Sequence, residues 1–178
     1  MKKLLSKISK IIAKIHFPYN HKKMTESECL EIIKMMKDGD VLLTHTSGEL
    51  SNIVLDFLGH GAIVNKSKIW EAVTAGTKDT DPMFFLSRKD SVYLYRPRFP
   101  ISLDTMDYFL QENKNLKYDF EFESNDGQFY CFEYVASALN SSSRVKVYPI
   151  KTPIGSQYLA KSFINENFEL IWHKKWFY

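Results

Sequence analysis

The 178-residue sequence predicts an α+β fold, a largely antiparallel sheet packed against helices. Three observations carry that expectation. Helix-period and strand-period stretches are interspersed through the body without an internal repeat. The strand-like runs are short and meet across brief polar turns, which suits hairpins better than the long crossovers a parallel sheet requires. Hydrophobic residues at 44% and aromatics at 15% are enough for one sizeable core.

The first element is a basic arm. Residues 1–23 hold seven lysines and no acid, whereas the rest of the chain has 17 basic and 21 acidic residues. The net charge of +3 therefore hides a basic arm, 1–23, on a mildly acidic body, 24–178. Leu4, Ile8, Ile11 and Ile15 recur at helical spacing with Lys3, Lys7, Lys10 and Lys14 on the other face, and the pattern ends before Pro18. The interrupting lysines exclude a secretory signal, and no run approaches the roughly 18 apolar residues of a membrane span. The expected location is cytoplasmic. The arm suits a helix packed on the body or on a partner chain, or one in which residues 1–18 lie on an anionic membrane surface as a peripheral contact. A body without a basic face excludes nucleic acid as a partner.

In the body, Thr25 and Glu28 form a capping box ahead of Leu30, Ile33 and Met36, so a helix is predicted over 26–37 with Gly39 as its C′ residue. Val41–Thr44 reads as a short buried strand. Ser47 is placed to cap a helix over 49–58. His60–Val64 and Ile69–Thr74 are strand-like runs around the turn 65–68. The stretch AGTKDTDP reads as a loop. Ser91–Tyr95 is a strand closed by Pro97 and Pro100. A helix is predicted over 102–113, an irregular aromatic stretch over 116–123, and a turn at Asn125–Gly127. Cys131–Leu139 reads as a helix, and Arg144–Ile150 and Phe168–Trp172 as strands.

The chemistry concentrates in three residues. A nucleophilic cysteine needs stabilisation of its thiolate, a base, and a group that orients the base. Cys131 lies near the start of its predicted helix, where free N–H groups and about +0.5 of helix-dipole charge favour the anion. A lone cysteine on a helix is ordinarily a core residue. His60 is flanked by Gly59 and Gly61, which leave room beside the imidazole. A four-residue loop would set Ala62 opposite Glu71, and a two-residue loop would set His60 opposite it. In either register His60 and Glu71 share a face of the hairpin; a three-residue loop would separate them. The same three residue types could bind zinc, but no CxxC or HxxxH spacing supports that, so no metal and no cofactor are implied. His16, His21, His45 and His173 show no partner pattern. Cys29, beside Leu30 and Ile33, reads as structural.

The segments GDVLLTHTSGELSNIVLDFLGHGAIV, IWEAVTAGT, VYLYRP, YDFEF and YCFEYVASAL, in this order over about residues 38–140, resemble the permuted papain-like amidases of the YaeF/YiiX group. These are circularly permuted relatives of the NlpC-type cell-wall peptidases. The resemblance implies a circularly permuted papain-like fold with Cys131 as nucleophile, His60 as base and Glu71 as the orienting residue. It sets Tyr118 and Asp119 at the mouth of the site and Tyr130 and Glu133 beside the cysteine. It also offers Gln128 as an oxyanion donor, which makes Tyr118, Gln128 and Tyr130 the expected substrate contacts. Two departures, GHGAIV without an aromatic or serine before His60 and AGT after Glu71, bear on pocket shape. The implied activity is a cysteine hydrolase, an amidase or peptidase that cleaves an amide bond through a thioester. Its substrate would be a small peptide or a peptidoglycan fragment. A lipid-acting thiol hydrolase or acyltransferase at a membrane surface is the alternative within the fold, since related permuted folds include lecithin:retinol acyltransferase-like enzymes. A non-catalytic binding module with the arm as its docking helix is the alternative outside enzymology.

Overall fold

The computed structural model describes residues 22–46, 58–122, 127–153 and 155–174. Residues 1–21 of the predicted arm, most of the predicted helix 49–58 and two residues of the turn Asn125–Gly127 lie outside them.

Helix α1 spans Glu26–Met35 and starts on the predicted capping box: the Thr25 hydroxyl accepts the Glu28 N–H at 3.3 Å, and the Glu28 carboxylate accepts the Thr25 N–H at 2.7 Å. Its end differs from expectation. Met36 closes the helix in an extended conformation, and Gly39, at φ +88°, serves instead the turn Lys37–Asp40 that feeds the sheet. Strands β1 (Val41–His45), β2 (His60–Asn65), β3 (Lys68–Val73) and β4 (Gly76–Thr80) follow. Then come the short helix α2 (Pro82–Leu86), β5 (Ser91–Pro97), helix α3 (Leu103–Glu112) and helix α4 (Cys131–Ser142). A two-stranded ribbon of β6 (Ile150–Thr152) and β7 (Gly155–Gln157), a 3-10 turn at Ala160–Phe163 and β8 (Phe168–His173) complete the order.

The main sheet has the order β4-β3-β2-β1-β5-β8, with every neighbouring pair antiparallel, as predicted. Two expectations fail. AGTKDTDP is not a loop: Gly76–Thr80 is the edge strand β4, because the exposed N–H and C=O groups along β3 recruit it despite its polar composition. Arg144–Ile150 is not a strand: only Ile150 enters one, and Lys146 instead turns its ammonium back onto the carbonyls of Asn140 and Ser143 at the end of α4.

Alternation along the strands sorts the core into two layers. Val41, Leu43, Ile63, Trp70, Ala72 and Tyr95 face α4 and α3, where Phe132, Val135, Leu139, Met106 and Leu110 are buried. Leu42, Ala62, Val64, Ile69, Val92 and Leu94 face the other side, against Cys29 and Ile32 of α1 and Phe85 and Leu86 of α2. Cys29 is thus a core residue, as predicted. Asp40, 1% exposed, accepts Arg96 Nε at 2.8 Å and Arg96 Nη2 at 2.7 Å, which ties the start of β1 to β5. The same Nη2 also donates to the Met35 carbonyl at the end of α1.

Candidate active site

The turn between β2 and β3 settles the geometry of two site residues. Lys66 and Ser67 both take positive φ, +49° and +56°, the two-residue hairpin that matches strand twist. The strands run on through the pair Asn65 and Lys68, so this turn gives the register expected of the loop 65–68, Val64 with Ile69 and Ala62 with Glu71, and not His60 opposite Glu71. His60 and Glu71 are therefore diagonal neighbours on one face, and His60 Nε2 lies 2.9 Å from Glu71 Oε2.

Cys131 comes from the other layer. It is the first residue of α4, whose core side chains belong to the layer opposite Ala62 and Ile69. Gly61 lets the two elements approach this closely: a Cβ there would lie 2.7 Å from the Phe132 ring. His60 is the first residue of β2, at the end of the sheet, so its ring can contact Glu71 on one face and Cys131 from the other. With Nε2 committed to Glu71, Nδ1 is the ring nitrogen left for the sulfur. The thiol also points to the Gly59 carbonyl at 3.8 Å. Tyr130 at the helix cap supplies no side-chain bond to the first turn; the Cys131 backbone N–H meets the Tyr118 hydroxyl oxygen beside the sulfur.

Burial and the charge of Lys89 both act to strip the His60 proton, yet hydrogen bonds to Cys131 and Glu71 outweigh them and raise the imidazolium from 6.5 to about 9. Burial likewise opposes ionisation of Glu71, but His60 and then the Thr80 hydroxyl outweigh it and lower the carboxyl to about 2. The pair is an imidazolium–carboxylate at neutral pH.

Tyr118 reaches the sulfur from a loop shaped by its neighbour. Asp119 Oδ1 accepts the N–H groups of Glu121 at 2.7 Å and Phe122 at 2.9 Å, and the Asp119 N–H donates to the Phe129 carbonyl at 3.1 Å. This holds Tyr118 in hydrogen-bond contact with Cys131; burial, then the charge of the cysteine, keeps the phenol well above its ordinary range and so protonated. Gln128 is half-buried three residues before the cysteine. Tyr130 is not brought to the site: it is 1% exposed, packs edge-on to Phe122, and its hydroxyl accepts the Tyr158 N–H at 2.6 Å. Sequence reasoning missed Thr80 and Lys89. Both fall in or after a stretch without apolar alternation, where the only hint was two β-branched threonines, Thr77 and Thr80.

A family model for the permuted papain-like amidase enzymes, YaeF/YiiX, C92 family, matches residues 35–162, well over half of the chain. Among solved structures the chain is similar to one described as the crystal structure of metalloprotein yiiX from Escherichia coli O157:H7. The two are 13% identical, 78% of this chain and 97% of that one are covered, and the TM-score is 0.64, a likeness of fold. No curated protein matches.

Proposed function

The chain belongs to the permuted papain-like amidase enzymes of the YaeF/YiiX, C92 family, cysteine amidase/peptidase-like hydrolases with a permuted papain-like fold, and we propose that Cys131, His60 and Glu71 are its catalytic triad. The observation that supports this most is the position of His60, bonded to Glu71 on one side and to Cys131 on the other, with the three residues 11 and 60 positions apart in the chain.

The reactive form is a Cys131 thiolate beside a His60 imidazolium. The thiolate attacks the carbonyl carbon of an amide, and the carbonyl electron pair moves to oxygen. The Cys131 backbone N–H, released from the Tyr118 oxygen as the substrate carbonyl enters, and the Tyr118 hydroxyl are the donors for that oxyanion; Tyr118 is preferred to Gln128 because it already contacts the cysteine. Collapse of the intermediate breaks the C–N bond, and His60 gives its proton to the departing amine. A water then loses a proton to His60 and attacks the thioester, which releases the acid and restores the thiolate. Glu71 holds the ring orientation and stabilises the imidazolium throughout. The proposed substrate is an amide bond in a small peptide-type molecule.

The structural neighbour is described as a metalloprotein. Among the described residues of this chain, no group of three or more His, Cys, Asp or Glu is arranged to hold a metal ion. The Glu71 oxygens are taken by His60 and Thr80, so this donor set does not fit one.

Two measurements test the reading. Hydrolysis of a panel of peptide amides, esters and phospholipids should occur on amides and vanish in Cys131→Ala; equal turnover by that variant would end the assignment. Iodoacetamide at about pH 6 should label Cys131 and spare Cys29. Cys131 is 1% exposed, so labelling reads local opening together with thiolate reactivity. The His60→Ala variant separates the two, because a smaller side chain cannot reduce access: its labelling rate should fall. A rate that holds or rises would remove His60 from the chemistry.

A further inference from the structure

The free oxygen of Glu71 has a dedicated partner on the edge strand. Strand β4 pairs with β3 in the register Ile69↔Thr80 and Glu71↔Lys78, so Thr80 and Lys78 lie on the same face as Glu71. Thr80 Oγ1 donates to Glu71 Oε1 at 2.7 Å, and Thr80 is 6% exposed. Lys78 Nζ is 3.8 Å from the same oxygen, but its side chain is 39% exposed and its attraction is screened by water. Each carboxylate oxygen thus carries one short hydrogen bond, Oε2 to the imidazole and Oε1 to the threonine. Two bonds of this kind fix the plane of a carboxylate that one bond would leave free to rotate.

The threonine is itself held. Asp81, the next residue, caps α2 by accepting the Phe84 N–H at 3.0 Å, and Pro82 opens that helix. From the same helix the Phe85 ring stands 6.0 Å from the His60 ring. Segment 76–86 therefore backs both members of the His60–Glu71 pair, one by a hydrogen bond and the other by an aromatic wall.

We propose that Thr80 is a positioning residue of the reaction: it acts on the sulfur through Glu71 and His60 and extends the triad to a line of four side chains, Thr80, Glu71, His60 and Cys131. The proposal rests on the triad reading above. Its chemical consequence is a carboxylate turned edge-on to the imidazole, so that the imidazolium, and with it the thiolate, is favoured. The charged and titratable groups around this pair are Cys131 from α4, Lys78 from β4 and Lys89 after α2, whose ammonium lies 4.7 Å from the Phe85 ring centre.

The test is the pH profile of Cys131 alkylation by iodoacetamide in the full-length chain and in Thr80→Val, Thr80→Ser and Glu71→Gln. Valine keeps the volume of threonine and removes the hydroxyl; serine keeps the hydroxyl. The proposal expects Thr80→Val to label about tenfold more slowly near pH 6, the scale of a lost hydrogen bond to a charged group, and to lose its fast labelling at a lower pH on the alkaline side. It expects Thr80→Ser to stay within about twofold of the parent, since the bond is retained. A Thr80→Val rate and profile like the parent's, with Glu71→Gln slowed, would overturn the role of Thr80 and leave the triad standing. Equal slowing in the valine and serine variants would assign the effect to packing and overturn the proposal. An unchanged Glu71→Gln would remove the triad and this inference together.

Discussion

Glu71 sits where burial alone would keep it protonated, and two donors reverse that. Its carboxyl, lowered from 4.5 to about 2, stabilises the fold above about 4.5, and that contribution is lost as pH falls through about 2. His60, raised from 6.5 to about 9, contributes fully below about 6.5, and that contribution is lost as pH rises through about 9. Both hold together between about pH 4.5 and 6.5. The difference in thermal midpoint between the parent and Glu71→Gln should therefore be largest in that window and shrink on either side; a flat difference across pH would show that the pair is not coupled. The proposed mechanism has a different window, because in it the leaving amine takes the imidazolium proton. Activity should fall on the alkaline side near pH 9, and Glu71→Gln should bring that fall to lower pH, read from kcat/KM against pH. These residues could be found from the sequence because side-chain parity in a strand is strict: any even-numbered hairpin loop puts His60 and Glu71 on one face. The actual diagonal pairing was chosen by the Lys66-Ser67 turn. Tyr130 shows the limit. Its place beside Cys131 says nothing about its direction, which the Tyr158 N–H and the Phe122 ring determine from elsewhere in the chain.

Close approaches between elements expose the sheet to small changes. At Gly76, φ is +116° and an added Cβ would lie 2.4 Å from the Leu116 carbonyl oxygen, a backbone atom that cannot step aside. Gly127 shares the unusual φ, at +77°, but a Cβ there would meet nothing within 4 Å. Gly127→Ala should cost about 1 kcal/mol from backbone strain. Gly76→Ala should cost about 3 kcal/mol or more, since overpacking adds to strain. Urea unfolding would read the order, and equal costs would refute the steric argument. Arg96→Met would leave the Asp40 carboxylate buried with only the Lys37 N–H, at 2.8 Å, among the bonds described here. About 3 kcal/mol of destabilisation is expected, measured by the same method. Elements with a periodic apolar face, α1, α3, α4, β1, β2, β3, β5 and β8, were legible as local patterns. Strand β4 was not, since its buried positions are threonines, Thr77 and Thr80, that bury against polar partners: Thr77 Oγ1 donates to the Asn113 carbonyl and accepts the Leu116 N–H at 2.9 Å.

For the molecule as a whole, the sheet separates two layers and the candidate site lies at its end, where a residue at the start of a strand can touch both. The basic arm stands apart from this body in charge, and residues 1–21 lie outside the described part. Among the described residues no helix is long and apolar enough to cross a membrane. If the arm binds an anionic lipid surface, the full chain should co-sediment with anionic vesicles and a chain beginning at residue 19 should not, with neither pelleting on neutral vesicles; equal behaviour of the two chains would exclude that role. The sequence alone determined the composition of the chemistry, the strand and helix periods that carry it, and the shared face His60 and Glu71 take in any even-numbered hairpin loop. These are local properties, set by neighbours within a turn or a hairpin. Tertiary structure decided which threonine completes the carboxylate, which tyrosine meets the sulfur, and that a cysteine from one layer meets a histidine whose own face belongs to the other. Those contacts join positions tens of residues apart, and only the packing of α4 and β4 on the sheet brings them within bonding distance.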